Sequence, residues 1–147
     1  MSSPLRVGVA GLGTVGAAVL GLLARRESGL TARNGRPIVV AGVSARDRAK
    51  SRGIDLAGLA WHDDPVALAR SPDIDCLVEL IGGEGGTALE ATRAALAAGK
   101  HVVTANKAML ARHGLELAAA AEGRGVALKL EAAVAGGIPI VKTLREG

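Results

Sequence analysis

A doubly wound α/β domain with a mainly parallel, six-stranded sheet is the fold class this sequence predicts, on three observations. Apolar strand-like runs alternate with helix-forming stretches along the chain, the pattern that builds a parallel sheet with crossover helices. One run, Ile74 to Ile81, is almost unbroken, which suits a strand covered on both faces. The length of 147 residues holds one domain with a substantial core.

The elements follow in order. An apolar strand starts at Leu5 and runs into glycines, Thr14 to Arg26 is a helix, and Glu27 to Pro37 reads as a polar turn rich in Gly, Asn and Arg. Ile38 to Val43 is the second strand, and Ser44 to Gly53 is a basic connection or short helix. Leu59 to His62 forms a brief strand. Asp64 is then placed to cap a helix whose first position is Pro65. Ser71-Pro72-Asp73 ends that helix and Ile74 to Ile81 follows. Gly82 to Gly86 is a flexible turn, Thr87 to Ala98 an alanine-rich helix closed by Gly99, and His101 to Thr104 a strand. Asn106 to Glu122 is helical with a break expected at Gly114, and Val126 to Leu130 is the sixth strand. A last helix, Ile138 to Arg145, begins behind Pro139. It starts so near Gly147 that residues 1–147 read as a domain truncated where a linking helix to a further, substrate-handling domain begins. The bland alternative is a two-turn helix that closes the domain.

Composition excludes several function classes. Ala, Val, Leu and Gly supply nearly all the apolar residues, with one Trp and no Phe or Tyr. Stacking platforms for single-stranded nucleic acid are therefore missing. The net charge of +4 is modest, and only Arg46, Arg48, Lys50 and Arg52 cluster. A lone cysteine, Cys76, allows no intramolecular disulfide or paired-cysteine metal site and fits a cytoplasmic chain. The uncharged stretch Val7 to Ala24 approaches membrane-span length, but Gly8, Gly11, Gly13, Gly16 and Gly21 divide it into strand, turn and helix. His62, His101 and His113 lack metal-site spacing.

The glycines of that stretch carry the first functional signal. In LRVGVAGLGTVG, Leu5 to Gly16, Gly11 allows a tight turn, Gly13 lets backbone approach a pyrophosphate and Gly16 lets helix and strand pack closely. Gly-x-Gly-x-x-Gly alone is a weak signal, but here it follows a strand and opens a helix, the context that supports a dinucleotide site. Gly11, Leu12, Gly13, Thr14, Val15 and Gly16 are thus candidate cofactor contacts, with the helix N-terminus aimed at the phosphates. After the second strand, where an acidic residue would hold the ribose 2′-hydroxyl of NAD, the chain reads VSAR. Ser44 leaves space and Arg46 is suited to a 2′-phosphate, which favours NADP over NAD. Asp47, one residue on, keeps NAD open, and the alternative for Arg46 and Arg48 is plain solvation of a turn.

VAGLGTVG, VELIGG at Val78 to Gly83, HVVTANKA at His101 to Ala108 and EAAVAGGIPI at Glu131 to Ile140 together resemble the N-terminal NAD(P)-binding domain of the homoserine dehydrogenases, over essentially the whole chain. The resemblance implies a Rossmann-type domain of an oxidoreductase that interconverts L-homoserine and L-aspartate 4-semialdehyde with NAD(P)(H), on the route to threonine, methionine and isoleucine. It implies cofactor contacts at Ile81, Gly82, Thr104 and Lys107, with Lys107 also reaching toward the substrate carbonyl. Glu131, with the carbonyls of Val134, Gly136 and Ile138, resembles the family's monovalent-cation site, suited to Na⁺; a carboxylate capping backbone N–H groups of the Gly136-Gly137 turn is the alternative. The catalytic residues are expected after Gly147, so the chain alone should be inactive, and a homodimer is implied for the full-length enzyme, with contacts largely outside these residues. Rival readings are another NAD(P)-dependent semialdehyde or sugar-type oxidoreductase, and a non-catalytic nucleotide-sensing module. Glu79 stands apart as a carboxylate inside an apolar strand, which is costly unless paired; it either orients the glycine loop after it or only meets a backbone donor.

Overall fold

The computed structural model describes residues 2–130. Six strands, β1 (Leu5–Ala10), β2 (Ile38–Ser44), β3 (Ala60–His62), β4 (Cys76–Glu79), β5 (His101–Thr104) and β6 (Leu128–Lys129), form one sheet in the order β3-β2-β1-β4-β5-β6. Every pairing is parallel. The direction of winding reverses between β1 and β4, and in such sheets ligands bind outside the carboxyl ends of the strands at that reversal.

Helices α1 (Thr14–Arg25), α2 (Glu27–Asn34), α3 (Pro65–Arg70), α4 (Gly86–Ala97) and α5 (Lys107–Arg124) connect the strands. Strand alternation sends neighbours to opposite faces. Val9 and Val43 pack with Leu12 and Leu20 in the core on the α1 side, whereas Ala10, Leu77 and Val102 join the larger core under α3, α4 and α5. On α4, Ala88, Leu89, Ala91, Thr92, Ala95 and Leu96 are buried, so a mostly alanine face brings helix and sheet backbones close without any aromatic filler.

Three expectations need correction. The segment read as a polar turn contains α2, which has no buried residue and thus no apolar stripe to announce it; Glu27 in its first turn and Gly35 in a left-handed cap at φ 72° mark its ends. Gly114 does not break α5, because one helical glycine costs only about 1 kcal/mol against alanine and the helix runs for 18 residues. The flanks of two strands lie outside the ladders, so β4 and β6 are shorter than the apolar runs that contain them. A further expectation is decided, since Ser44 to Gly53 continues past β2 as the connection and not as the short helix. The helix expected at Ile138 to Arg145 lies outside the described residues.

At the amino ends of the strands, the backbone N–H of Arg6 donates to Asp75 Oδ2 at 2.9 Å and its guanidinium donates to both carboxylate oxygens, at 2.7 and 3.1 Å. Lys100, buried nearby, donates to the carbonyls of Ser71 and Ile74. Hydrogen bonding from Arg6 lowers Asp75 to about 2, from an ordinary 3.8. A carboxyl depressed in the fold stabilises it above pH 4, and that contribution is lost as pH falls from 4 toward 2. Because the pair is more than a third exposed, Asp75→Asn should cost only about 1 kcal/mol at pH 7. Thermal melts should show the mutant and wild type converging as the pH is lowered to 2; a constant gap would remove the ion pair as the cause.

Candidate functional site

The carboxyl ends of β1, β2 and β4 open into a cleft of about 680 Å³, lined by the Gly11–Gly13 turn, by Ser44 to Asp47, Lys50 and Arg52, by Asp63 to Pro65, and by Leu80, Ile81 and Thr87. Gly11 makes the turn possible in two ways. Its φ of 98° suits glycine, and a Cβ there would lie 2.6 Å from the Leu80 carbonyl oxygen across the reversal point. A Cβ on Gly16 would overlap the Gly11 carbonyl, so the helix can seat against the turn only without a side chain. Gly13 differs, since a Cβ added there would meet nothing within 4 Å.

The turn leaves an anion site. Gly13 caps α1 with no side-chain hydrogen bond, no acidic residue lies in the first turn, and the first helical bond runs from Ala17 N–H to the Gly13 carbonyl. The amides of Thr14, Val15 and Gly16 therefore have no partner within the helix, the arrangement that holds a phosphate at a helix N-terminus.

Charges on the β2 side are sorted by their hydrogen bonds. Arg52 donates to the carbonyls of Leu12 at 3.1 Å, Lys50 at 2.8 Å and Asp47, fastening the irregular loop after β2 to the glycine turn. Asp47 accepts from Ala49 N–H at 2.9 Å, Asp63 from Trp61 Nε1 at 2.8 Å, and Asp64 from Val66 N–H at 2.9 Å as the cap of α3. All three carboxylates are thus engaged. Arg46 and Lys50 have no side-chain hydrogen bond or ion pair among the described residues, and both line the cleft. Trp61 lies beneath Arg48 and Arg52, 5.7 and 5.9 Å from its ring centre.

On the β4 side, Glu79 is fully buried. Its Oε1 accepts from the N–H groups of Ile81 at 2.7 Å and Gly82 at 3.2 Å, and its Oε2 from the Thr104 hydroxyl at 2.6 Å. Thr104 accepts in turn from Asn106 N–H at 3.0 Å. Asn106 caps α5 through Met109 N–H and donates to the Gly83 carbonyl at 2.7 Å.

Of the candidate contacts, the structure brings Gly11, Leu12, Gly13, Ser44, Arg46 and Ile81 to the cleft wall, with Thr14, Val15 and Gly16 in the adjoining helix turn and Gly82 beside Ile81. Leu12 and Ser44 are both buried. Thr104, only 1 % exposed, lies behind the cleft wall, with its hydroxyl on Glu79. Lys107 is exposed at the first residue of α5 and does not line the cleft. Glu131, Val134, Gly136 and Ile138 lie outside the described residues, and among the described residues no group of three His, Cys, Asp or Glu side chains could hold a metal. Lys50, Arg52 and the Asp63 to Pro65 segment also line the cleft, although the sequence marks the first two only as part of a basic cluster and Asp64-Pro65 only as a helix start.

A doubly wound sheet with an uncapped glycine turn at its reversal point defines a dinucleotide-binding domain of the nicotinamide-dependent oxidoreductases. Residues 11–131 match the family described as homoserine dehydrogenase, NAD binding domain. The chain belongs to that family. It is 45% identical over 144 residues to the homoserine dehydrogenase of Pseudomonas aeruginosa, covering 98% of this chain and 32% of that protein. The crystal structure of a homoserine dehydrogenase from Thiobacillus denitrificans superposes with a TM-score of 0.89 at 47% identity, over 99% of this chain and 33% of that one. An S. aureus homoserine dehydrogenase at pH 7.5 gives 0.81 at 33% identity, over 90% and 34%. The chain thus spans about a third of the length of these relatives. No helix among the described residues is long and apolar enough to cross a membrane.

Two glycine substitutions separate packing from binding. Gly16→Ala should lower stability by about 1–3 kcal/mol in denaturant melts, through the overlap with Gly11. Gly13→Ala should leave the melt unchanged and weaken dinucleotide binding at least tenfold by calorimetry. A Gly13 variant that binds as wild type would place the phosphates elsewhere.

Proposed function

We propose that this chain is the cofactor-binding part of an NADP-preferring homoserine dehydrogenase, acting in the interconversion of L-homoserine and L-aspartate 4-semialdehyde in the cytoplasm. The observation that carries the preference is the set of charges beside Ser44: Asp47 lines the cleft with one carboxylate oxygen held by Ala49 N–H, while Arg46 and Lys50 line it with no side-chain hydrogen bond or ion pair among the described residues. A ribose 2′-phosphate meets two cations there, and the guanidinium of Arg46 matches it with paired N–H groups. The uncapped amides of α1 hold the pyrophosphate, and Gly13 leaves it room.

The bound nicotinamide supplies the hydride chemistry. The chain's part is to bind and orient it: the Gly11 turn fixes one half of the dinucleotide, and the Ile81–Gly83 loop, held by Glu79 and Asn106, borders the other. Lys107 is assigned to the substrate side, where an ammonium stabilises the alkoxide oxygen developing as an aldehyde accepts hydride. The linking helix is assigned to Ile138 to Arg145, and the substrate-handling groups and most dimer contacts of the whole enzyme to residues after Gly147. A sodium ion held by Glu131 with the carbonyls of Val134, Gly136 and Ile138 belongs to the same reading.

Quenching of Trp61, the single aromatic residue, reports binding in the adjacent cleft. The chain should bind NADPH more tightly than NADH, and Arg46→Ala combined with Lys50→Ala should weaken NADPH about tenfold or more with little change for NADH. Equal affinities in the wild type would remove the NADP assignment and leave the dinucleotide site standing.

A further inference from the structure

We propose that Glu79 is a positioning residue that clamps the Ile81–Gly83 loop, and that its buried negative charge biases the site toward the oxidised, cationic form of the cofactor. The inference rests on the dinucleotide reading given above. Its observations are the hydrogen bonds around one carboxylate. Two backbone N–H groups and the Thr104 hydroxyl meet it, and that hydroxyl accepts from Asn106 N–H and has its one hydrogen to give, the set that satisfies a carboxylate. Two of the donors are backbone amides whose direction cannot reverse.

The clamp acts on both ends of the loop. Glu79 takes the N–H groups of Ile81 and Gly82, and Asn106 takes the carbonyl of Gly83. Gly82 and Gly83 adopt φ of 87° and 89°, so the loop holds a backbone shape open mainly to glycine while its polar groups are tied inward. The Leu80–Ile81 peptide is also the one that Gly11 packs against. Phosphate turn, loop and the start of α5 are therefore joined through Glu79, Thr104 and Asn106.

The charge has a separate consequence. Among the described residues no lysine, arginine or histidine forms an ion pair with Glu79, which is fully buried. Hydrogen bonds solvate the carboxylate but leave its net charge in a region of low dielectric, where its field is felt beyond the contact distance. In this sheet order the half of the crevice beyond β4 serves the nicotinamide nucleotide. The nicotinamide ring is cationic when oxidised and neutral when reduced, so a carboxylate behind the bordering loop lowers the free energy of the oxidised form alone. Donation of hydride to an aldehyde creates that positive charge, and Glu79 thereby favours the reductive direction.

Calorimetric titration of the full chain at pH 8 with NADP⁺, NADPH and adenosine 2′,5′-bisphosphate tests both parts. Glu79→Gln should raise the ratio of the NADP⁺ to the NADPH dissociation constant about fivefold, with adenosine bisphosphate binding unchanged. Thr104→Val, which removes one donor and keeps the charge, should lower that ratio. An unchanged ratio in Glu79→Gln, or equal weakening of both forms, would overturn the charge assignment and leave a purely structural carboxylate. If Glu79→Gln also loses adenosine bisphosphate, the variant is misfolded and Thr104→Val decides: a ratio that stays put or rises overturns the proposal. A wild-type chain that binds adenosine bisphosphate and neither dinucleotide would overturn it together with the reading beneath it, whereas dinucleotide binding with no Glu79 effect sinks this inference alone.

Discussion

Backbone touching backbone at the point where the sheet reverses its winding is the contact on which the rest of this molecule depends. Gly11 lies against the Leu80–Ile81 peptide on one side and beneath Gly16 on the other, with no room for a Cβ at either glycine. That contact fixes how far α1 stands from the ends of β1 and β4, and so sets the width of the cleft. The same economy of side chains runs through the core. Without Phe or Tyr, alanine, valine and leucine fill the layers, and helices must sit close to the sheet to leave no voids.

The two walls of the cleft solve opposite electrostatic problems. On the β2 side, carboxylates that accept from nearby N–H groups share the cleft with Arg46 and Lys50, whose side chains have no partner among the described residues. On the β4 side a single acid is buried and saturated with donors, and the backbone around it is immobilised. A dinucleotide presents this same asymmetry, phosphates and ribose toward one end and a ring of variable charge at the other.

Much of this was legible in the residues. Six strands, the phosphate turn, the Asp64 cap and the family motifs all announce themselves locally, because each depends on spacing of a few residues. What escaped was set at a distance. α2 buries nothing and so has no periodicity to read. The bond from Thr104 to Glu79 depends on their register across the β4–β5 ladder, which a strand-end motif does not reveal. The fastening by Arg52 joins positions 40 residues apart through backbone carbonyls, which carry no sequence signature.

That fastening has a consequence for how such a domain can change. The loop after β2 is fastened by one guanidinium on the Leu12, Lys50 and Asp47 carbonyls, whereas the side chains of Arg46 and Lys50, which line the cleft, make no hydrogen bond among the described residues. Scaffold and charge are therefore encoded separately. A lineage, or a designer, can exchange the two cations for other side chains while the loop keeps its form, so the charge of this wall is a variable of few residues.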